Sequence, residues 1–429
     1  MIILLTLSPL LSYFIVTMSP INSGIYFFNA IILIAFVIVI SQFLVTGKIN
    51  FPFYLKFLLA FSLYVIISDV FISNKEPTFF YFFKDQVLFG FFAAVVIENT
   101  NFHTSYIKKL TRLLKILFWL SVIVILFQQL VNFNFLLNPN VKEDFEATSE
   151  MDRRFASIYS YLGGPLLAGF SVIPMLGLIV AEKIKQGDKK VSVYYFAATI
   201  FSVISKSRWI IFNLLLTIFV RYNLKKFGLG SMVKIISSIV ILAVVSFYTL
   251  TYLNFNIDAL IQDRFLETSH GGLSKGAASS RLIAFDVFGD LYPDNPLFGK
   301  GNLKWGEGST GDKQLEALLA GRSSQIHVGY LSLFYWYGLT GAVLFLFFLY
   351  NLIKKLRFNA RRNEYWGAYW GMMGFVVANF TLVYLNINVI GLLLCLVYNK
   401  YYEDVANSSI ARTRLVKIKR AAEATPVIA

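Results

Sequence analysis

Long apolar runs separated by short polar segments constrain this chain more than any other feature of its sequence. Hydrophobic residues make up 57% of its 429 positions, charged residues make up only 15%, and the mean hydropathy is +0.64. Several runs approach the roughly 20 residues that a helix needs to cross the hydrocarbon core of a bilayer. A soluble globule of this size would carry more charged groups on its surface. We therefore predict an all-α polytopic membrane protein.

Twelve apolar runs are candidate transmembrane helices. They cover residues 2–18, 26–46, 53–72, 79–97, 113–131, 158–181, 191–204, 209–220, 232–253, 326–350, 366–385 and 389–398. The runs near residues 200, 215 and 393 are shorter than an upright span, which predicts helices that are broken, thin or partly buried in protein. For the first run we favour a retained span, because no charged segment precedes it, with a cleaved signal peptide as the alternative.

Lysine and arginine in the short loops predict the orientation, because these residues favour the cytoplasmic side of a membrane. With the N-terminus inside, the loop cations fall on one side, and the opposite side receives residues 132–155 and 254–325. The predicted layout is N-in and C-in, with helices 1–9 in residues 1–253, an external loop at 254–325, helices 10–12 in residues 326–400 and a basic cytoplasmic tail at 401–429. These clusters explain the net charge of +15 better than nucleic-acid binding does.

Few sequence patterns point to a metal, a cofactor or a redox site. Cys395 is the single cysteine and lies in a late apolar run, which excludes an intrachain disulfide or a CxxC site and predicts a packed side chain. The chain carries no Walker lysine motif, no HExxH and no GxSxG. It also shows no internal repeat, which weakens the case for a transporter built from two matching halves.

Charged residues inside the apolar runs are candidate site residues, because an ionisable group at membrane depth is costly without a partner or a function. Lys84 and Asp85 lie in the fourth run. Adjacent residues point about 100° apart on a helix, so these two cannot simply neutralise each other. A partner on another helix, or snorkelling of Lys84, is the alternative to a substrate contact. Asp69 lies near the outer end of its run, where hydration is cheap, and we expect it to be structural.

Two arginines stand at the external ends of predicted helices. Arg208 follows a polar break at residues 205–207, and the charge rule puts this break toward the external side. A guanidinium group keeps its charge at any relevant pH and binds phosphate with paired donors, which suits a diphosphate-bearing lipid. Arg154 precedes residues 163–169, where small side chains permit close helix packing and Pro165 starts or kinks a helix. Anchoring of a helix end at the interface is the alternative for both arginines.

The external segment 254–325 mixes cations, Arg264 and Arg322 among them, with a slightly larger number of acidic residues, as a folded and solvated subdomain would. Apolar positions between residues 279 and 291 recur with helical spacing and predict a short helix there. Arg281 falls in the first turn, where a cation opposes the helix dipole and could instead share an anion with the helix end. Residues 292–301 then form a turn-rich loop that returns the chain.

His327 opens the tenth apolar run at the external boundary. An unperturbed pKa of about 6.5 suits histidine to take a proton from a sugar hydroxyl at neutral pH. Taken alone, a histidine at a membrane interface is more often a hydrogen-bonded structural residue. Gly338 and Gly341 follow it, and an aromatic cluster that includes Tyr330 can either stack on sugar rings or mark the interface.

Taken in order, these landmarks resemble the O-antigen polymerase and ligase superfamily of bacteria. They are Arg154 with residues 163–168, then residues 205–208, then Ser280 and Arg281 with residues 295–301, then residues 327–341. The resemblance covers most of the chain from residue 154 onward, whereas the first five runs match only in hydropathy. The family commonly has an asparagine directly after the histidine, and this chain has Val328 there.

The resemblance implies a GT-C-like membrane glycosyltransferase that works at the external face of the bacterial inner membrane without a metal or a cofactor. Its donor would be a glycan on undecaprenyl pyrophosphate, and its acceptor a sugar hydroxyl of another lipid-linked repeat unit. The residues carried over as catalytic are His327, Arg281 and Arg208, and the candidate substrate-binding residues are Arg154, Arg264, Arg322, Tyr330 and Lys84.

Two alternatives to a polymerase stay open from the sequence. An O-antigen ligase, which transfers glycan to lipid A core, needs the same donor chemistry and therefore the same cations. A lipid-linked oligosaccharide transporter would distribute its charges along a central pathway on both sides, whereas the unusual arginines here collect on the external half. The predicted partners are the lipid-linked glycan and the bilayer, with no nucleic acid, and a chain-length regulator protein is a partner that the sequence leaves undecided.

Overall fold

The structure is a computed structural model, and it describes residues 1–18, 24–72, 87–132, 134–137, 157–159, 161–162, 164–188, 190–205, 208–221, 285, 288, 295–301, 328–380 and 385–423. Its α-helices, numbered in chain order, are α1 (Ile2–Thr6), α2 (Ser8–Met18), α3 (Gly24–Thr46), α4 (Phe53–Phe71), α5 (Val87–Glu98), α6 (Thr104–Leu130), α7 (Gly164–Lys185), α8 (Ser192–Ile204), α9 (Arg208–Arg221), α10 (Gly329–Asn363), α11 (Gly367–Ala378) and α12 (Ile390–Glu423). A 3₁₀ helix, Ser157–Tyr159, precedes α7. The prediction of an all-α protein is confirmed for the described residues.

Five helices of the described chain are long and apolar enough to cross a membrane. They are Tyr26–Thr46 within α3, α4, α6, Leu167–Lys185 within α7, and α10. The described part of each predicted run contains helix. The run 2–18 is divided into α1 and α2, α11 ends at Ala378 before the predicted end at residue 385, and the run 232–253 lies outside the described residues. The transmembrane character is thus supported by these helices, while the number of twelve spans stays a prediction.

Helices α8 and α9 are as short as their sequences indicated. They contain 13 and 14 residues, which gives each a length of about 20 Å against a hydrocarbon core of about 30 Å. The Tyr195 hydroxyl of α8 donates a hydrogen bond of 2.8 Å to the Thr217 carbonyl of α9. Because residues from the start of α8 and the end of α9 meet, the two helices pair as an antiparallel hairpin whose tip is at residues 205–208.

Helix α12 differs from its prediction, because it continues well beyond the apolar run that begins it. It extends over 34 residues, from Ile390 to Glu423, although the apolar run ends at residue 398. Polar contacts support the helix at that point: Asn359 donates a hydrogen bond of 3.2 Å to Asn399, and Lys400 pairs with Asp404 at 2.7 Å. The predicted boundary between span and tail at residue 400 therefore lies inside a continuous helix.

Helix α10 packs against α4, α11 and α12. Its buried residues recur at intervals of three and four, which places them on one face of the helix: Ala342, Phe345, Leu349, Leu352 and Leu356. Between them, large apolar side chains such as Leu346, Phe347 and Tyr350 are exposed. A helix with a packed apolar face and an exposed apolar face is typical of one that borders lipid.

An ionic cluster, consisting of Tyr54, Glu98, Lys355 and Glu403, joins α4, α5, α10 and α12. The Lys355 ammonium lies 2.7 Å from both carboxylate oxygens of Glu98 and 3.1 Å from Glu403, and the Tyr54 hydroxyl donates to Glu98 at 2.8 Å. The Glu98 side chain is only 1% exposed. A carboxylate buried to this degree depends on its partners, because charge is expensive to remove from water.

We expect Lys355→Ala to destabilise the protein by about 3 kcal/mol, because it leaves Glu98 buried and uncompensated. Thermal unfolding of the purified protein in lipid nanodiscs measures the loss. Lys354→Ala is the matched control, because Lys354 is the exposed neighbour on the same turn. Adding Glu98→Gln to Lys355→Ala should recover most of the stability. Equal melting of the Lys355→Ala and Lys354→Ala proteins would contradict this role.

A second group of contacts lies at the same end of the bundle. The Lys185 ammonium donates to the carbonyl of Asn363 at 3.2 Å and lies 3.8 Å from the ring centroid of Tyr402, whose hydroxyl donates to Glu182. The structure thus brings together the segments at Lys185, Asn363 and Tyr402. The lysines and arginines of these segments were predicted from the sequence to lie on the same side of the membrane. Which compartment this end faces stays a prediction.

Two single residues inside the bundle test expectations from the sequence. Cys395 is a buried free cysteine, in agreement with the prediction of a packed side chain. Asp69 was expected to be structural, and it is fully buried and engaged with the protein. The hydropathy pattern gives the position of a residue along a helix and not which neighbour covers it, so the burial of Asp69 could not be inferred from the sequence.

Candidate functional site

A break in α10 at Gly338 is the centre of the candidate site. Gly338 has φ 59° and ψ −166°, which is not helical, and this region of backbone conformation is essentially restricted to glycine. The break separates a first segment of α10, from Gly329 to Tyr337, from the long segment that reaches Asn363. Helix ends expose backbone N–H and C=O groups, and inside a protein these groups need other partners.

The partner of this break is the turn formed by residues 295–301. The Gly299 amide donates to the Asn295 carbonyl at 2.9 Å, and the Asn295 side-chain amide donates to the Gly299 carbonyl at 2.7 Å, which closes the turn. Gly299 and Gly301 have φ of 74° and 72°. Both glycines therefore adopt the left-handed conformation that side chains disfavour.

Four backbone hydrogen bonds dock the turn onto α10, and they run in both directions. The turn donates two and the helix donates two: Lys300 N–H to Tyr335 O at 3.0 Å, Gly301 N–H to Trp336 O at 2.7 Å, Leu339 N–H to Pro296 O at 2.8 Å, and Thr340 N–H to Leu297 O at 3.1 Å. We call this contact the junction. It supplies the backbone groups around Gly338 with the partners that an unbroken helix would have provided.

The junction is tight, and α4 closes it from a third side. A methyl group at Gly299 would lie 2.4 Å from the Trp336 carbonyl oxygen, and one at Gly338 would lie 2.5 Å from the Leu297 carbonyl. The Tyr64 hydroxyl of α4 is 3.1 Å from each of two carbonyl oxygens, those of Phe298 and Tyr337. One helix thus holds the turn and the break at the same time.

The junction and the ionic cluster lie at opposite ends of the bundle. Gly338 precedes Lys355 by 17 residues of continuous helix, which corresponds to about 25 Å along the axis. The hydrocarbon core of a bilayer is about 30 Å thick. The separation of the turn from the ionic cluster is therefore comparable with the thickness of a membrane core.

Tyr330 connects the first segment of α10 to the end of α11. Its amide donates to the Asn379 carbonyl at 3.3 Å, its hydroxyl donates to the Val376 carbonyl at 2.7 Å, and its ring meets Phe380 edge-on with centroids 4.9 Å apart. Its hydroxyl is thus held by the backbone of α11. The neighbouring Val328 is buried, as suits an apolar residue at the start of the helix.

The start of α9, at Arg208, lies at the same end as Tyr330. Helix α9 packs on α11, and a methyl group at Gly374 would lie 3.1 Å from the Asn213 side-chain oxygen. The chain runs five residues from Arg208 to Asn213 and five from Gly374 to Asn379. The start of α8 lies beside Lys183 at the end of α7 and pairs with the end of α9, and α11 begins beside Ala181 of α7. Helix α9 therefore ends at the level where α11 begins, so the two are antiparallel and the backbone at Arg208 is level with Asn379.

The chain after Arg154 is anchored in the bundle by the 3₁₀ helix. The Ser157 amide donates to Gln128 Oε1 at 3.1 Å, and its hydroxyl donates to the Ser121 carbonyl at 2.6 Å. Gln128 in turn donates to the Phe135 carbonyl at 2.7 Å. Helix α7 then starts at Gly164, so Pro165 falls in its first turn, as the sequence indicated.

A cavity of about 50 Å³ with a mostly apolar lining lies beside the start of α12. Asn388 donates a hydrogen bond of 3.0 Å to Asn29, and both line the cavity together with Ser8 and Ser171. Its volume suits a few water molecules. Sequence reasoning missed this group, although an asparagine near the start of the second apolar run was a signal for it.

Most residues predicted for the site lie outside the part of the chain that the structure describes. They are Lys84, Arg154, Arg264, Arg281, Arg322 and His327. For Arg208 the helix start is described and the side chain is not. The structure does describe the segments next to three of them: Ser157 follows Arg154 by three residues, Val328 follows His327 directly, and the 295–301 turn comes after Arg281.

No protein-family model matches the chain, and no curated protein matches it. The class of protein is therefore described from the fold of this chain alone. The described residues form an all-helical protein with five candidate membrane spans. At the end of this bundle away from the ionic cluster, a turn docks into a broken helix.

Proposed function

We propose that the chain is a membrane glycosyltransferase of the O-antigen polymerase type. In this proposal it transfers a glycan from an undecaprenyl pyrophosphate carrier to a sugar hydroxyl of a second lipid-linked repeat unit. The reaction takes place at the external face of the bacterial inner membrane and needs no nucleotide sugar. The cytoplasmic side is the end that carries the ionic cluster, and the fold is of the GT-C type with about twelve spans.

The junction is the observation that supports this proposal most. Two of the four landmarks of the resemblance, residues 295–301 and 327–341, are separate segments of the sequence. Four backbone hydrogen bonds join them in the structure. A third landmark, at residues 205–208, belongs to a hairpin whose partner α11 also holds Tyr330. Landmarks that meet at one end of a fold are what a common site requires.

The proposed roles follow from the chemistry of the residues. Arg208 and Arg281, with Arg154 beside them, bind the diphosphate and stabilise the negative charge that develops on it as the glycosidic bond breaks. His327 orients the acceptor hydroxyl and takes its proton. Arg264, Arg322, Tyr330 and Lys84 contact the remainder of the lipid-linked substrates.

The tightly held turn gives these roles a physical basis. The chain enters the junction at residue 295, after Arg281, and leaves it at residue 301 toward His327. Both flanking segments thus start from one fixed place, since the turn is held by four bonds from its backbone and by Tyr64. Catalysis depends on such fixed placement, because a misplaced group loses much of its effect.

Incubation of the purified protein with a lipid-linked repeat unit tests the proposal. Neither a nucleotide sugar nor a metal is added, and EDTA is present. The expected product is a ladder of glycans on the lipid carrier, detected by size after mild acid release. A single transfer to added lipid A core would identify a ligase instead, and movement of unaltered substrate across a vesicle membrane would identify a transporter. Either result would overturn the proposal.

A further inference from the structure

The tip of the 295–301 turn presents two large apolar side chains away from the protein. Leu297 is 54% exposed and Phe298 is 52% exposed. In water, two neighbouring exposed side chains of this size would be costly, at about 25 cal/mol for each Å² of apolar surface. Their exposure is therefore informative about what surrounds the turn.

The tip continues a face of the bundle that is apolar and exposed along its length. Leu339 and Val343 of α10, next to the tip, are 45% and 40% exposed, and Leu63 and Ile67 are exposed on α4. Both helices are candidate membrane spans. Because Leu339 also donates its amide to the turn, the exposed side chains of the turn and of α10 form one surface.

Several carbonyl groups of the turn have partners within the protein. An unpaired backbone polar group in the hydrocarbon core costs several kcal/mol. The carbonyl groups of Pro296 and Leu297 accept amides of α10, that of Phe298 accepts the Tyr64 hydroxyl, and that of Gly299 accepts Asn295. A tip with satisfied carbonyls and apolar side chains is suited to hydrocarbon.

We propose that the tip of the turn is inserted into the bilayer, with Leu297 and Phe298 in contact with lipid acyl chains of the leaflet away from the ionic cluster. The distance of about 25 Å along the helix from Lys355 to the junction is shorter than the roughly 30 Å of the hydrocarbon core. The turn is then a membrane-embedded element and not part of the solvated loop that the sequence predicted. This inference is independent of the enzymatic proposal.

Site-directed spin labelling tests the insertion, and the chain is well suited to it because Cys395 is its single cysteine. In a Cys395→Ala background, Leu297→Cys and Phe298→Cys are labelled separately and reconstituted into phosphatidylcholine and phosphatidylglycerol vesicles. Power-saturation measurements compare the collision of each label with oxygen, which concentrates in hydrocarbon, and with a water-soluble nickel complex. Phe347→Cys on the exposed face of α10 is the hydrocarbon reference, and Lys48→Cys in an exposed loop is the water reference.

We expect the labels at 297 and 298 to resemble the label at 347, with high oxygen and low nickel accessibility. Both positions are exposed, so neither substitution removes a packed side chain. Nickel accessibility at either position equal to that at residue 48 would place the tip in water and overturn the inference.

Discussion

Gly338→Ala should abolish glycan chain lengthening and destabilise the protein by about 4 kcal/mol or more. An alanine would have to adopt a conformation that is nearly exclusive to glycine, at a cost of about 1–3 kcal/mol. Its methyl group would also lie 2.5 Å from the Leu297 carbonyl. This carbonyl belongs to the backbone of the turn and cannot rotate away as a side chain could. The turn would have to undock, which breaks the four hydrogen bonds of the junction. Losses of this size are exceptional for a single substitution.

Gly47→Ala is the matched control for this experiment. Gly47 also has a positive φ, of 64°, but a methyl group there would meet nothing within 4 Å. Its substitution should cost only the local strain, about 1–2 kcal/mol, and should leave activity intact. Thermal unfolding in nanodiscs and the length of the glycan product are measured for both variants. Similar melting of the two proteins would show that Gly338 is not held against the turn.

His327→Ala and Arg281→Ala should each reduce the polymerisation rate at least about 100-fold while leaving membrane insertion unchanged. Removal of a general base costs about 10²–10⁴ in rate, and removal of one stabilising donor about 10²–10³. Arg281→Lys should recover only part of the activity, because lysine keeps the charge and loses the paired donors. Product size and initial rate are measured with the same lipid-linked repeat unit.

Exposed residues of the same types provide the controls. His103 lies in an exposed loop before α6 and Arg357 is exposed on α10, at the end of the bundle that carries the ionic cluster. His103→Ala and Arg357→Ala should retain full activity. Full-length polymer from His327→Ala or Arg281→Ala would refute the assigned role of that residue, whatever the controls show.

The helices could be predicted from the sequence, because apolar runs are a direct signal for them. Helix α4 begins at Phe53 as predicted, and the shortness of α8 and α9 was visible from the polar break before Arg208. The end of α12 was missed, because side-chain partners such as Asn359 support it beyond the apolar run. Contacts of this kind join residues from different helices and leave no periodic pattern.

The junction could be predicted only in part. The turn-rich composition of residues 292–301 indicated the turn, whereas residues 326–350 were predicted as one helix without a break at Gly338. That the two dock on each other could not be inferred, because the bonds connect backbone groups that every residue carries. The ionic cluster was missed for a related reason: Glu98 and Lys355 lie at the ends of two apolar runs, where each alone is ordinary.

The central claim is that Arg208 and Arg281 hold one lipid diphosphate at the end of the bundle that carries the junction. Single-particle electron microscopy of the protein in nanodiscs with undecaprenyl pyrophosphate measures this most directly. The account predicts that the diphosphate lies in one cavity beside Tyr330 and the 295–301 turn, with both guanidinium groups on its oxygens. The account would be contradicted if the two guanidinium groups faced opposite sides of the membrane or lay in separate cavities.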